Sequence, residues 1–69
     1  MPLSMANESE VHYIKRIGGN DDVKRFLHNL GFIVGEMVTV IAKIDNNVIV
    51  KIKEARVAIS EEMAKKIIV

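Results

Sequence analysis

The sequence has no cysteine and no tryptophan, and its 69 residues include only one proline, one tyrosine and two phenylalanines. The absence of cysteine excludes disulfide bonds, thiolate metal sites and a cysteine nucleophile. The scarcity of aromatic rings argues against a stacking platform for single-stranded nucleic acid and against an aromatic groove for polyproline peptides. A chain of this length forms one domain, residues 1–69, with a thin margin of stability.

Positive and negative charges nearly balance, because the chain has ten lysines and arginines and nine acidic residues, for a net charge of +1. This balance differs from the basic excess of nucleic-acid-binding modules. No apolar run reaches the roughly 20 residues of a membrane-spanning helix. The first residues also lack the cationic and apolar regions of a signal peptide. We therefore expect a cytoplasmic protein that neither binds nucleic acid nor inserts into a membrane.

The clearest periodic pattern predicts an α-helix from about Asp21 to Leu30. Asn20 is the expected N-cap, and the aspartates that follow place negative charge at the positive end of the helix dipole. Apolar residues spaced i, i+3, i+4 and i+7 form one stripe: Val23, Phe26, Leu27 and Leu30. Gly31 follows where a left-handed residue ends a helix without a Cβ penalty.

Runs rich in β-branched residues predict strands at 11–17, 37–44, 48–53, 56–59 and 67–69. The second and third of these form a hairpin through an Asp-Asn-Asn turn. A short helix of about residues 61–66, with Ser60 as its N-cap, precedes the last strand. Short antiparallel strands with two brief helices predict a mainly β fold, a small closed or nearly closed antiparallel barrel.

No group of side chains has the pattern of a catalytic or metal site. The three serines lie in no nucleophile-elbow context, so they are interpreted as caps and loop residues. Glu10 and His12, two apart on a predicted strand, could point the same way, but a metal site needs three or more convergent ligands. His28 has no ligand partner at helical spacing. We predict no enzymatic activity, no cofactor and no bound metal.

Two segments carry a resemblance to a known family. A helix ends in Leu30-Gly31, a short apolar stretch follows, and a second glycine, Gly35, opens an alternating strand. The end of the chain, Val57-Ala58-Ile59-Ser60 and then 64–69, matches a closing pattern of the same family. Together these segments resemble the FeoA family over essentially the whole chain. The resemblance implies an SH3-like barrel with one inserted helix.

The sequence departs from the family pattern in two places. Val34 stands where the family often has proline before the second glycine. The family often opens with Leu-x-x-Leu-x-x-Gly, whereas Leu3, Ala6 and Ser9 occupy those places here. The second departure leads us to expect that residues 1–9 are flexible.

The resemblance also implies a function. FeoA-like proteins are small cytosolic accessory proteins of bacterial ferrous iron uptake. Their expected partner is a membrane ferrous iron transporter, whose GTP-binding cytosolic domain they dock on and regulate. Two alternatives remain open: an SH3-like regulatory module of the iron-dependent repressor type acting in trans, and a carrier of ferrous iron. The oligomeric state is not predicted.

Two surfaces are candidates for the partner contact. The first is the polar side of the predicted helix with one residue of the connector: Lys24, Arg25, His28 and Phe32. The second is one face of the predicted hairpin, with three lysines: Lys43, Lys51 and Lys53. We prefer the first surface. Leu30, Gly31 and Gly35 are predicted to act as a structural hinge that holds the geometry without binding the partner.

Overall fold

A computed structural model describes residues 1–69, in which six strands and two helices follow a turn of 3-10 helix at Leu3–Met5. The elements are β1 (Val11–Tyr13), β2 (Arg16–Ile17), α1 (Asp21–Leu30), β3 (Met37–Ile44), β4 (Asn47–Ile52), β5 (Ala55–Ser60), α2 (Glu61–Ala64) and β6 (Ile67–Ile68). One sheet has the order β1-β3-β4-β5, and the other pairs β2 with β6. Every pair is antiparallel, as predicted, but the strands form two sheets and not one closed ring.

The single strand predicted over residues 11–17 is wrong, because β1 and β2 belong to different sheets. The chain leaves the first sheet at Ile14, which is only 2% exposed. The Ile14 N–H donates to the Glu36 carbonyl (3.0 Å), and its own carbonyl accepts from Gly35 (2.7 Å). A sequence pattern with a period of two cannot show which strand each half of the segment pairs with.

The ends of α1 agree with the prediction. The Asn20 side chain accepts a hydrogen bond of 2.9 Å from the backbone N–H three residues later. Gly31 has φ 108°, in the left-handed region. The N–H groups of Gly31 and Phe32 donate to the carbonyls of His28 (2.9 Å) and Leu27 (3.0 Å). This pair of bonds is the Schellman arrangement, which satisfies carbonyls that the end of a helix leaves free.

The predicted apolar stripe of α1 is only partly buried. Leu27 is completely buried, and Val23 and Leu30 are half-buried and pack against the core. Phe26 is 49% exposed, so its predicted place in the core is wrong. Leu27 and Phe26 are neighbours in the chain and project about 100° apart around the helix axis. A domain this small covers only a narrow strip of α1.

The hairpin of β3 and β4 forms where the sequence predicts it, although β4 begins one residue earlier and ends one residue earlier than expected. Asp45, with φ 55°, takes the left-handed position of the turn. The register shifts between Val40 and Ala42, which is a bulge in β3. A bulge adds one residue to one strand and reverses the face of the residues beyond it. Lys43 therefore lies opposite the buried Val48.

The last third of the chain closes the second sheet. The Ser60 side chain caps α2 by accepting from the Met63 N–H at 3.2 Å, as predicted, but the helix ends at Ala64 and not at residue 66. Ile67 in β6 is completely buried and lies opposite Ile17 in β2. The final strand thus pairs with the segment just before α1 and holds that segment away from the first sheet.

The core draws on nearly every element, including the segment for which flexibility is expected. Its fourteen residues are Leu3, Ala6, Ile14, Leu27, Phe32, Val38, Val40, Val48, Val50, Ile52, Ile59, Ala64, Ile67 and Val69. Leu3 and Ala6 are completely buried, and flexibility stays a prediction for the exposed residues 7–9. Ser9 has φ 69°, a left-handed conformation that suits the glycine which the family pattern often has there.

Candidate functional site

A groove of about 400 Å³ lies between β2, α1 and the connector that follows α1. We call it the basic groove. Its polar lining consists of cationic side chains and one imidazole: Lys15, Arg16, Lys24 and His28. Its apolar lining comes from β2 and the connector: Ile17, Phe32, Ile33 and Val34. The groove therefore joins residues that are up to nineteen positions apart in the sequence, from 15 to 34.

Two glycines shape the connector side of the groove. The left-handed turn at Gly31 stops α1 and brings Phe32 into the core, where it is 1% exposed. Gly35, with φ 91°, occupies the third position of a tight turn in which the Glu36 N–H donates to the Ile33 carbonyl at 2.9 Å. A positive φ at that position defines a type II turn. Val34 lies at the corner of this turn and is 62% exposed.

The charge of the groove has one sign. No acidic residue lines it. Lys15, Arg16 and Lys24 form no ion pair with any carboxylate of the chain. Unpaired cations around a concave, partly apolar surface attract anionic groups.

The structure brings together three of the four residues predicted for the partner contact. Lys24, His28 and Phe32 line the groove, with Phe32 as its buried floor. Arg25 does not line it, and its guanidinium lies 3.4 Å from the Asp22 carboxylate. Whether any of these residues touches a partner stays a prediction.

The sequence reasoning missed Lys15 and Arg16 as groove residues. They lie in the segment that was predicted as part of one continuous strand. The signal that could have identified them is the Ile-Lys-Arg-Ile order of residues 14–17, since two isoleucines separated by two residues do not fit a single strand face. Such a break in alternation marks the point where the chain changes sheets.

The second predicted surface, with three lysines on one hairpin face, does not form. The bulge in β3 places Lys43 on the opposite face from Lys51, where it stays exposed and its ammonium donates to the Ser4 carbonyl at 3.0 Å. Lys53 has φ 55° after the end of β4 and lies 3.7 Å from the Glu36 carboxylate. Only Lys51 remains on the outward face of the hairpin. A bulge and a turn thus disperse a cluster that strict alternation predicts.

Lys51 belongs to a different exposed surface, which we call the outer sheet face. Its members lie opposite one another in the register of the four-stranded sheet: Val11, Tyr13, Met37, Thr39, Lys51 and Arg56. Val11, Tyr13 and Met37 are 54%, 60% and 49% exposed. This surface is an open sheet face and no groove lies on it.

The residues considered for metal binding do not converge. His12 Nε2 lies 3.6 Å from a Glu10 carboxylate oxygen and has no hydrogen-bond partner, although the atom is buried. No group of three or more histidine, aspartate or glutamate side chains is placed to hold a metal ion. No helix has the length and apolar character needed to cross a membrane.

Two small antiparallel sheets, with one helix between the second and third strands and a short one before the last strand, have the architecture of an SH3-like domain. The model of the FeoA domain family matches residues 1–69. The chain therefore belongs to the FeoA family, and both the predicted family and the predicted fold are confirmed.

Solved structures agree with this assignment. A FeoA protein from Stenotrophomonas maltophilia, determined in complex with zinc and described as an SH3 domain protein, is 27% identical, with a TM-score of 0.86 over 99% of this chain and 87% of that one. An iron uptake regulatory protein, FeoA, is 20% identical, with a TM-score of 0.90 over 97% of this chain and 91% of that one. A comparison with curated protein sequences finds no match.

The same fold occurs in a longer protein of another kind. A manganese-dependent transcriptional repressor is 18% identical, with a TM-score of 0.89 over 97% of this chain. This chain spans only 39% of the repressor. At that identity the likeness shows a common fold and nothing more.

Proposed function

We propose that this chain is a cytoplasmic, non-enzymatic accessory protein of bacterial ferrous iron uptake. In this proposal it docks on the GTP-binding cytosolic domain of a membrane ferrous iron transporter and regulates it. Two observations support the proposal: membership of the FeoA family, and the S. maltophilia relative's description as a candidate activating factor of bacterial ferrous iron transport.

The basic groove is the single structural feature that carries the docking proposal. Its polar lining is cationic, its apolar lining includes the exposed Ile33 and Val34, and no carboxylate of the chain lines it. Apolar contact provides affinity when it is removed from water, and charge complementarity directs the partner to the surface and sets its orientation. We propose Lys24, Arg25, His28 and Phe32 as contact residues. Leu30, Gly31 and Gly35 form the hinge that holds them in place.

Titration of the transporter's isolated GTP-binding domain with this chain, with and without nucleotide, tests the proposal. We expect saturable binding that a Lys24→Glu/Arg25→Glu variant weakens by about tenfold or more, which corresponds to about 1.4 kcal/mol. The matched control is Lys51→Glu/Arg56→Glu, which makes the same change of charge on the outer sheet face. Its affinity should change by less than about twofold. Absence of binding at high micromolar concentration would contradict the proposal.

A ferrous iron carrier is the second candidate, and the Glu10–His12 pair is the only observation in its favour. Anaerobic calorimetric titration with ferrous iron separates the two functions. A tight one-to-one isotherm that is lost in a Glu10→Ala/His12→Ala variant would replace the docking role with a carrier role. We expect no such isotherm, because two side chains do not make a closed coordination shell.

A further inference from the structure

The three lysines and arginines of the basic groove lie together and form no ion pair. Three of the seven lysines and arginines outside the groove lie within 4 Å of a carboxylate: Arg25, Lys53 and Lys65. None of the three in the groove does. The chain has nine acidic residues for ten basic ones, so the lack of ion pairs in the groove is not due to a shortage of carboxylates. A group of unpaired cations around one concavity repels itself, and an acidic ligand removes that repulsion.

The size of the groove limits the kind of ligand that it accepts. Its volume of about 400 Å³ is near the lower end of the range of about 300–1,000 Å³ found for ligand pockets. One turn of an α-helix, about 10 Å across and 5.4 Å long, has a volume of about 400 Å³ by itself. The groove therefore holds only a few residues, so a short segment of a partner enters it.

The positions of the charges add a pattern. Lys15 and Arg16 come from the β2 side of the groove, and Lys24 comes from the α1 side. The same groove includes the apolar side chains of Ile33 and Val34, which are 36% and 62% exposed. A ligand that meets both kinds of side chain carries an apolar group together with acidic ones. A short peptide with acidic residues around one apolar residue offers both.

From these observations we propose that the basic groove binds a short acidic peptide segment with one apolar side chain among its carboxylates. We assign this peptide segment to the cytosolic part of the transporter, and that assignment rests on the function proposed above. The chain then recognises a short linear motif and does not need a preformed surface of the GTP-binding domain.

Fluorescence anisotropy with short labelled peptides tests the proposal on the intact chain. The first probe alternates aspartate and glutamate around one central leucine. We expect saturable binding at low ionic strength, weakened by salt because exposed charges contribute to it. A second probe has serine in place of leucine, and we expect it to bind about tenfold more weakly because the apolar contact is lost. A third probe with lysine in place of each acidic residue should not bind.

Two double variants locate the binding. Lys15→Glu/Lys24→Glu reverses one charge on each wall of the groove, and we expect at least a tenfold loss of affinity for the leucine probe. Lys51→Glu/Arg56→Glu changes the net charge by the same amount on the outer sheet face, and we expect less than a twofold loss. Circular dichroism of each variant establishes that both remain folded. Equal losses in the two variants, or no saturable binding of the leucine probe, would overturn the proposal.

A parallel titration with the transporter's GTP-binding domain distinguishes this inference from the function on which it rests. Binding of the domain without binding of the leucine probe would refute the linear-motif inference and leave the docking function standing. Binding of the leucine probe without binding of the domain would refute the docking function and support the groove as a site for acidic segments of another protein. Competition between domain and probe supports both.

Discussion

The basic groove and the outer sheet face are built from similar side chains and differ in shape. Each combines cations with exposed apolar residues, and neither contains a metal-ligand cluster. In the groove these side chains come from a strand of the second sheet, a helix and a connector, which meet at an angle. On the outer sheet face they come from adjacent strands of one sheet in direct register. Composition alone therefore does not distinguish a concave site from a flat surface.

The two regions also differ in how they bear on stability. The groove has a buried floor, since Phe32 is 1% exposed and is one of the largest side chains of the core. The outer sheet face has an exposed ring, since Tyr13 is 60% exposed. It also holds a like-charged pair, because Lys51 lies directly opposite Arg56. Like charges in that relation destabilise a sheet slightly.

The largest expected effect on stability distinguishes Phe32, in the groove, from Tyr13, on the outer sheet face. Phe32→Ala should lower the free energy of unfolding by about 3 kcal/mol or more, because it removes a buried ring from a well-packed core. For a domain this small that loss is close to the whole stability. Tyr13→Ala should cost less than about 0.5 kcal/mol, as is usual for an exposed position. Urea unfolding followed by circular dichroism measures both, and similar losses would contradict the distinction.

The next effect concerns the turn that places the groove floor. Gly31→Val should cost about 2 kcal/mol, because a β-branched residue is strained at φ 108°. The nearest side-chain atom would lie 3.9 Å from an added Cβ, so the cost is conformational and not a collision. Gly18→Ala is the control, since its Cβ would make an ordinary contact at 3.5 Å and its φ is not in the left-handed region. A loss no larger in Gly31→Val than in the control would show that Gly31 has no special role.

A smaller, stabilising effect is expected at the corner of the connector turn. Val34 occupies the second position of the type II turn, where proline is favoured, and its N–H donates no backbone hydrogen bond. Val34→Pro should raise the free energy of unfolding by about 0.5 kcal/mol by restricting the unfolded chain. Gly35→Pro should instead destabilise, because it removes a 2.7 Å hydrogen bond to Ile14 and cannot adopt φ 91°. Thermal unfolding of both variants gives the sign of each effect.

The smallest effect concerns the like-charged pair of the outer sheet face. Lys51→Glu places opposite charges across the β4–β5 pair and should raise stability by about 0.5 kcal/mol. Lys51→Gln removes the repulsion without adding attraction, so its stability should fall between that of the unmodified chain and that of Lys51→Glu. The gain should shrink in 1 M sodium chloride, where exposed charges are screened. A gain that persists unchanged at high salt would show that the effect is not electrostatic.

The parts of the fold that the sequence predicted are those that depend on neighbours within a few residues. The caps of α1 at Asn20 and Gly31 and the cap of α2 at Ser60 involve bonds spanning three to five residues. The β3–β4 hairpin depends on alternation and a short turn. In each case the conformation that the neighbouring residues favour is also the one in the complete fold, so the sequence pattern predicts it correctly.

The parts that were missed depend on residues far apart in the chain. The segment 11–17 divides because β6, about fifty residues later, pairs with its second half. Lys43 leaves the face of Lys51 because of a bulge, and its ammonium then donates to the Ser4 carbonyl near the start of the chain. Phe26 stays exposed because the rest of the domain is too small to cover it. Only the first has a local trace in the sequence, the break in alternation between Ile14 and Ile17, and that trace does not show that the second half pairs with β6.

The sequence by itself determined the fold family, the position of α1 and the Leu-Gly-x-x-x-Gly segment that ends it, because glycine is selected by backbone angles that only a few residues tolerate. Only the tertiary structure decided that Lys15 and Arg16 share one groove with Lys24, His28 and apolar side chains of the connector. That arrangement follows from pairing β2 with β6, which moves part of the first predicted strand beside α1. Strand pairing over such a separation is set by packing of the whole core, and a pattern read along the chain does not contain it.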